Sequence, residues 1–247
     1  MTAGRPGGAA GPKENNQVAE ETLLLPYNTL QQEGVAEQEI KKSVFIAHAL
    51  PVSSPEEAVG GIAKIKARYP DARHHVYAWR TGQAGGLQMQ RYSDDGEPQG
   101  TAGLPVLDTL LHADLTDALL VVVRYFGGTL LGTGGLVRAY SRTAGLAVAA
   151  AGPVTMTAQA VYRAVLPYSL LDLFLHRCRQ ANVPVLRTDY TETVTLELGL
   201  ADEQVIWLQA VLADLSGGSI EADFLAKRYV PLPLGKISDE EAFDNEE

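Results

Sequence analysis

One stretch of this chain concentrates residue types that suit an anion. It runs Arg124-Tyr125-Phe126-Gly127-Gly128, continues through Gly132, Gly134 and Gly135, and ends with Arg138, Tyr140 and Arg142. No acidic residue lies between Ala118 and Ala151. Glycine takes positive φ readily and lets another backbone or a ligand come close. The apolar run Ala118 to Val123 precedes the glycines and a helical pattern starts at Leu136, so the order is buried strand, glycine-rich loop, helix. A helix N-terminus behind such a loop presents free N–H groups and a partial positive charge. The loop matches no standard nucleotide fingerprint: it lacks the Lys-Ser or Lys-Thr of a Walker loop, and GxGxxG would need glycine where Val137 stands. Composition alone leaves two readings open, an anion cradle and a tight corner that seats a helix on its strand.

The second concentration is Ser93 to Gly103, where the carboxylates Asp94, Asp95 and Glu97 precede Gly100, Thr101 and Gly103. Carboxylate oxygens suit a hard cation such as Mg²⁺. Asp-Gly and Glu-Pro are equally turn chemistry, and the Thr101 hydroxyl suits a helix cap. His74 and His75 are adjacent on an expected strand, so they point to opposite faces and do not share a metal; one of them can reach a pocket. His48, His112 and His176 have no ligand spacing, and Cys178 reads as a small core residue. Neither a GxSxG elbow nor HExxH occurs. The expectation is therefore no catalytic residue, no metal and no cofactor. The candidate pocket is His74, Asp94, Asp95, Glu97, Thr101 and Tyr125.

The elements that must position these groups alternate along the chain. A strand is expected over Glu39 to Leu50. Ser54-Pro55-Glu56-Glu57 starts a helix with a capping hydroxyl, a proline in the first turn and acids near the dipole's positive end. A strand over His74 to Trp79, a loop over Gly82 to Gly86, a strand over Gln88 to Tyr92 and a helix over Thr101 to His112 follow. After the central strand and the helix to Ala150, Gly152-Pro153 marks a domain boundary. Beyond it the pattern reads strand, helix, strand, strand, helix, strand, the βαββαβ order of a ferredoxin-like domain. Asp202-Glu203 open the last of these helices. The division is thus a disordered tail over 1–20, a first domain over 21–152, a second over 153–235 and an acidic tail over 236–247.

Charge and composition bound the function. The 247 residues carry a net charge of −10, and the stretch from Pro184 onward holds 14 acids against 4 bases. A polyanion would therefore have to meet the first two thirds of the chain. The single cysteine excludes a disulfide framework and fits a reducing cytoplasm. The first 22 residues lack the apolar centre of a signal peptide, and no apolar run approaches the length of a membrane span, so a cytoplasmic protein without a membrane partner is expected.

Several motifs, in order and correctly spaced, resemble the IMPACT family and in particular its bacterial YigZ-like branch. They are Lys42-Ser43-Val44-Phe45-Ile46, His74-His75-Val76-Tyr77-Ala78, Asp94-Asp95-Gly96-Glu97-Pro98 with Gly100-Thr101-Ala102-Gly103, and Arg124-Tyr125-Phe126-Gly127-Gly128 through Gly135-Leu136-Val137-Arg138-Ala139-Tyr140. The resemblance spans roughly residues 37 to 150. It departs from the family pattern at Val44, where arginine is usual, and at Gln99 and Leu104. The resemblance implies an α+β protein of two domains, the first like domain 2 of ribosomal protein S5. The second is ferredoxin-like, similar to the last domain of elongation factor G. It also implies an association with RNA or the ribosome and with regulation of translation.

Three functions follow as expectations. The first is a non-catalytic module for RNA or a ribosomal component. In it Arg124, Arg138, Arg142 and the glycine amides meet phosphate, and Tyr125, Phe126 or Tyr140 stacks on a base. The second is a protein-docking module. The third is a metal-assisted hydrolase using Asp94, Asp95 and Glu97.

Overall fold

The computed structural model describes residues 25–82 and 87–234. Both expected tails lie outside the described residues, as does most of the loop expected after Gly82.

The first domain is one antiparallel sheet with helices on both faces. Its strands are β2 (Gly34–Ile40), β3 (Ser43–Pro51), β4 (His74–Thr81), β5 (Met89–Ser93) and β6 (Ala118–Tyr125), in the order β2-β3-β6-β4-β5. Helix α1 (Pro55–Arg68) covers one face, placing Ala58, Ile62 and Ile65 against Trp79, Leu119, Val121 and Val123. Helices α2 (Gly103–His112) and α3 (Thr133–Ala151) cover the other, placing Val106, Leu110, Leu136, Tyr140 and Ala144 against Phe45, Val76, Leu120 and Val122. Strand β6 is central and closed on both faces, which is why it reads as an unbroken apolar run rather than an alternating one. Each of its fully buried valines and leucines contributes about 1.5–3 kcal/mol of apolar burial.

The start of α1 follows the capping chemistry: Ser54 Oγ accepts the Glu57 amide at 3.2 Å, Pro55 occupies the first turn, and Glu56 and Glu57 lie at the positive end of the dipole. The single strand expected from Glu39 is in fact a hairpin. Lys41 (φ 48°) and Lys42 (φ 66°) both take the left-handed conformation, and Ile40 pairs with Ser43 across them. Such two-residue turns favour Asn and Gly, so two lysines disguise it.

In the second domain the strands are β7 (Pro153–Leu166), β8 (Val185–Tyr190), β9 (Val194–Leu200) and β10 (Ala222–Pro233). The helices are α4 (Tyr168–Gln180) and α5 (Gln204–Ser216). β7 lies between β10 and β9, and β8 lies outside β9, all antiparallel, which is the ferredoxin-like arrangement. Its core sets Phe174, Cys178, Leu208 and Leu212 of the helices against Leu166, Leu196, Leu198 and Leu200 of the sheet. Gly217 closes α5 with a left-handed φ of 62°. One strand crosses the expected boundary. β1 (Tyr27–Leu30) comes from the stretch assigned to the first domain, yet pairs antiparallel with Pro153–Met156 of β7 and so extends the second sheet. No described helix is long and apolar enough to cross a membrane.

Candidate functional site

The polar groups singled out in the sequence meet at the end of β6, where the chain leaves the sheet and turns into α3. There Arg124, the last inward residue of β6, is 4% exposed. Its Nη1 donates to Glu97 Oε1 at 2.6 Å, and Nη2 reaches Ser43 Oγ at 3.4 Å. Phe45 and Phe126 flank its guanidinium, with ring centroids 5.3 and 5.5 Å away. The Tyr140 hydroxyl, on the third turn of α3, donates to the same Glu97 oxygen at 2.7 Å. Burial, and then the charge of Glu97, push the Tyr140 phenol far above its ordinary range, so it stays a donor. His74 completes the cluster. Its Nδ1 meets the Asp95 carbonyl at 2.9 Å, which makes Nδ1 the protonated nitrogen in the neutral ring and leaves Nε2 3.9 Å from Glu97 Oε1. Arg124 is therefore neutralised inside the protein and is not the open phosphate contact expected of it.

The other expected residues separate. The three carboxylates diverge: Asp94 accepts the amides of Gly100, Ala102 and Gly103 at 2.9, 3.1 and 2.8 Å and holds the start of α2. Asp95 accepts the His75 amide at 2.7 Å and meets Lys66 Nζ at 3.3 Å, tying β4 to α1. Glu97 alone enters the cleft. No group of three His, Cys, Asp or Glu side chains converges among the described residues. Thr101 does not cap α2; its hydroxyl donates to the Pro98 carbonyl at 2.7 Å, and Asp94 holds the helix start instead. His75 turns to the α1 face, where its Nε2 meets the Tyr69 carbonyl at 2.9 Å. Tyr125, next to Arg124 on β6, packs against the α1-side core and is not a pocket residue. Tyr140 is fully buried, so of the three aromatics expected to stack only Phe126, 43% exposed, offers a free ring.

Around this cluster lies a cleft of about 410 Å³, lined by Glu97 and Arg124, by Arg73, His74 and Pro98, and by Phe126 and the segment Leu130–Thr133 with Leu136. The N-terminus of α3 opens into it. Gly132 is the N-cap, at φ 73° and with no side chain to close the helix end. The Leu136 amide returns to the Gly132 carbonyl at 2.9 Å, whereas the amides of Thr133, Gly134 and Gly135 have no partner among the described residues. Further back in the loop the Gly127 amide is used internally, donating to Ser43 Oγ at 3.2 Å, and Gly128 (φ 83°) is exposed. A side chain at 127 would run into the backbone of Lys42, so glycine there is a packing requirement. Arg138 is exposed and lies along the first turn of α3, its Nη1 3.7 Å from where a Cβ on Gly134 would stand. Arg142, one turn on, is also exposed.

Sequence reasoning missed Arg73, Leu130, Leu131 and Ser43. Arg73 had a usable signal, a base directly before the His74-His75 pair on the strand that borders β6. Ser43 stood in the quoted motif Lys42-Ser43-Val44-Phe45-Ile46, but its contacts with Arg124 and Gly127 depend on the lysine turn beside it.

Fold and site together define a two-domain α+β protein: a sheet domain with a cleft at its strand–glycine loop–helix corner, followed by a ferredoxin-like domain. Residues 41–148 match the Impact N-terminal domain, and residues 165–219 match a domain of unknown function, DUF1949. The chain is 38% identical to the IMPACT family member YigZ of Escherichia coli (strain K12), over 74% of its own length and 90% of that protein. Over 36% of its length the chain is 33% identical to the IMPACT homolog of Saccharomyces cerevisiae, a match that covers 35% of that protein. A crystal structure of a hypothetical protein is 34% identical, covers 81% of this chain and 98% of its own, and superimposes with a TM-score of 0.51. The chain belongs to the IMPACT family.

Proposed function

We propose that the cleft beside α3 is a non-catalytic binding site for a phosphate of single-stranded RNA, carried by a ribosomal component, and that the protein acts in the regulation of translation in the cytoplasm. The observation that carries this reading is the uncapped start of α3, whose free amides face a cleft that also holds Arg73, His74 and the exposed ring of Phe126. Amides at a positive helix end suit phosphate oxygens, and an exposed aromatic beside them suits a base. Arg138 adds charge over the same helix turn. The role in translation is supported by membership of the IMPACT family and by the implication that resemblance carries. The separate engagements of Asp94, Asp95 and Glu97 favour binding over metal-assisted hydrolysis. Phe126 and Leu130, 43% and 83% exposed at the rim, support a protein partner docking on the same face as a second reading.

Fluorescence anisotropy with a labelled single-stranded oligoribonucleotide tests the site. Binding is expected to weaken with salt, with a log–log slope of about −0.7 for each phosphate contact. Replacing Arg73 or Arg138 by alanine should lower both affinity and slope. Absence of binding at low salt, or binding indifferent to both arginines, sinks the reading.

A further inference from the structure

The cleft has two polar ends that call for different groups. The amides of Thr133, Gly134 and Gly135 call for an anion. Glu97 calls for the opposite. Its side chain is 4% exposed, and Oε1 takes the hydrogens of Arg124 and Tyr140. No described residue donates to its other oxygen, Oε2. The sealed side-chain atoms without a partner are Gln38 Nε2, Trp79 Nε1, Arg124 Nε and Gln159 Oε1 among the described residues. Glu97 Oε2 is not among these sealed atoms, and Glu97 is one of the residues that line the cleft. A carboxylate oxygen paired to arginine accepts hydrogen bonds and has none to give, so it selects a ligand O–H or N–H. Phe126, Leu130 and Leu131 add apolar wall to the same cleft of about 410 Å³.

A ligand that fits must therefore carry an anion and, a short distance away, a neutral hydrogen-bond donor. A second anion at Glu97 would be repelled. A ribonucleotide meets this requirement through its phosphate and its sugar hydroxyl, whereas a deoxyribonucleotide within a strand has the phosphate but lacks the hydroxyl. We infer that Glu97 is the specificity-determining residue of the cleft, accepting the ribose 2′-hydroxyl of the nucleotide whose phosphate rests on the amides of α3. The inference rests on the RNA reading above and adds to it the group by which RNA is told from DNA.

The test uses the full chain and four single-stranded oligonucleotides of one sequence: RNA, 2′-fluoro RNA, 2′-O-methyl RNA and DNA. The 2′-fluoro sugar keeps the pucker of RNA and removes only the donor. RNA should bind roughly tenfold or more tightly than each of the other three, the loss expected when a buried charged acceptor is left without its donor. Equal binding of RNA and 2′-fluoro RNA, with dependence on Arg73 retained, overturns the role of Glu97 and leaves the phosphate site standing. No binding by any of the four overturns the RNA reading and this inference with it. In Glu97→Gln, the amide oxygen stays with Arg124 and Tyr140 and the amide nitrogen replaces the free acceptor with a donor, so the preference for RNA over 2′-fluoro RNA should fall. If that variant does not fold, the oligonucleotide series with the unaltered protein still decides.

Discussion

Arg124–Glu97 and Arg228–Glu197 are the same two residue types in the two domains of this chain, at similar distances of 2.6 and 2.8 Å. Their side chains are 5% and 4% exposed in the first pair and 52% and 23% in the second. Distance therefore does not distinguish them; surroundings do. In the first domain the pair is enclosed by Phe45 and Phe126 and shares Glu97 with Tyr140, so each member is the other's main source of compensation for lost water. In the second it lies on the open face of the ferredoxin-like sheet, near Arg163–Asp223, where water already serves both partners. The buried pair belongs to a site; the exposed one belongs to a soluble surface.

Removing one partner of the buried pair is the hardest blow to this contrast. Arg124→Ala should cost about 3–5 kcal/mol, because it leaves Glu97 charged and enclosed without its counter-ion. Urea unfolding measures it, and a cost no greater than that of Arg228→Ala would abolish the distinction. Replacing Arg124 and Glu97 together by apolar residues of similar size should recover much of the loss, since the buried charge goes as well.

The next contrast lies in how the two domains start their helices. The Asp94 carboxylate receives three amides at the start of α2, whereas α5 has Glu203 at its N-cap with no side-chain bond. Asp94→Ala should therefore cost about 2–3 kcal/mol, the scale of a lost cap plus further charged hydrogen bonds. The same change at Asp202 or Glu203 should fall within about 0.5 kcal/mol, as for ordinary surface positions. Thermal melts of the three variants sharpen the comparison; similar shifts would show that α2 does not depend on Asp94.

A smaller effect is set by pH. His48 on β3 is fully enclosed, with Nε2 3.0 Å from the Tyr69 hydroxyl and Nδ1 3.3 Å from Glu33. Burial lowers its pKa, opposed by the hydrogen bond that its ring gives to Glu33. The folded state thus prefers the neutral ring. Its contribution is complete above the unfolded value of about 6.5 and is lost as pH falls through the lowered folded value. Urea midpoints measured from neutral to mildly acidic pH should fall for the native chain and fall less for His48→Gln. Equal slopes would remove His48 from the account.

The legible parts of the sequence were those whose signal is local. Pro55 and the acids after it marked the start of α1, and the run from Ala118 to Val123 announced a buried strand. What escaped depended on partners far along the chain. β1 has only four residues and exists because β7 is long enough to pair with it as well as with β9. Arg124 read as an open cation because its partner Glu97 lies 27 positions earlier, where turn and pocket readings both stood open. Asp94, Asp95 and Glu97 read as one cluster because they are close in sequence, yet consecutive side chains of a turn leave in different directions. Asp94 goes to α2, Asp95 to α1 and β4, and Glu97 to the cleft. The helix after the glycine loop was expected from Leu136 but starts at Thr133, so Gly134 and Gly135 belong to its first turn; Gly127 is required by close packing against Lys42, and Gly132 leaves the helix end open.

The smallest expected effect belongs to the exposed pair and closes the comparison from the other side. Arg228→Ala should cost less than about 1 kcal/mol, because the solvated Glu197 loses a screened partner and regains water. Arg163→Ala should behave alike, since Asp223 is 66% exposed. Both costs should shrink as salt rises, the Debye length falling to about 3 Å at 1 M. The cost of Arg124→Ala should barely change over that range, because ions do not enter the space between Phe45 and Phe126. A salt series on the three variants therefore separates the pairs without reference to their absolute energies. If Arg124→Ala lost its effect in salt as the others do, the end of β6 would be as wet as the face of the second sheet. The cleft would then have no low-dielectric floor against which Glu97 could tell one neutral donor from another.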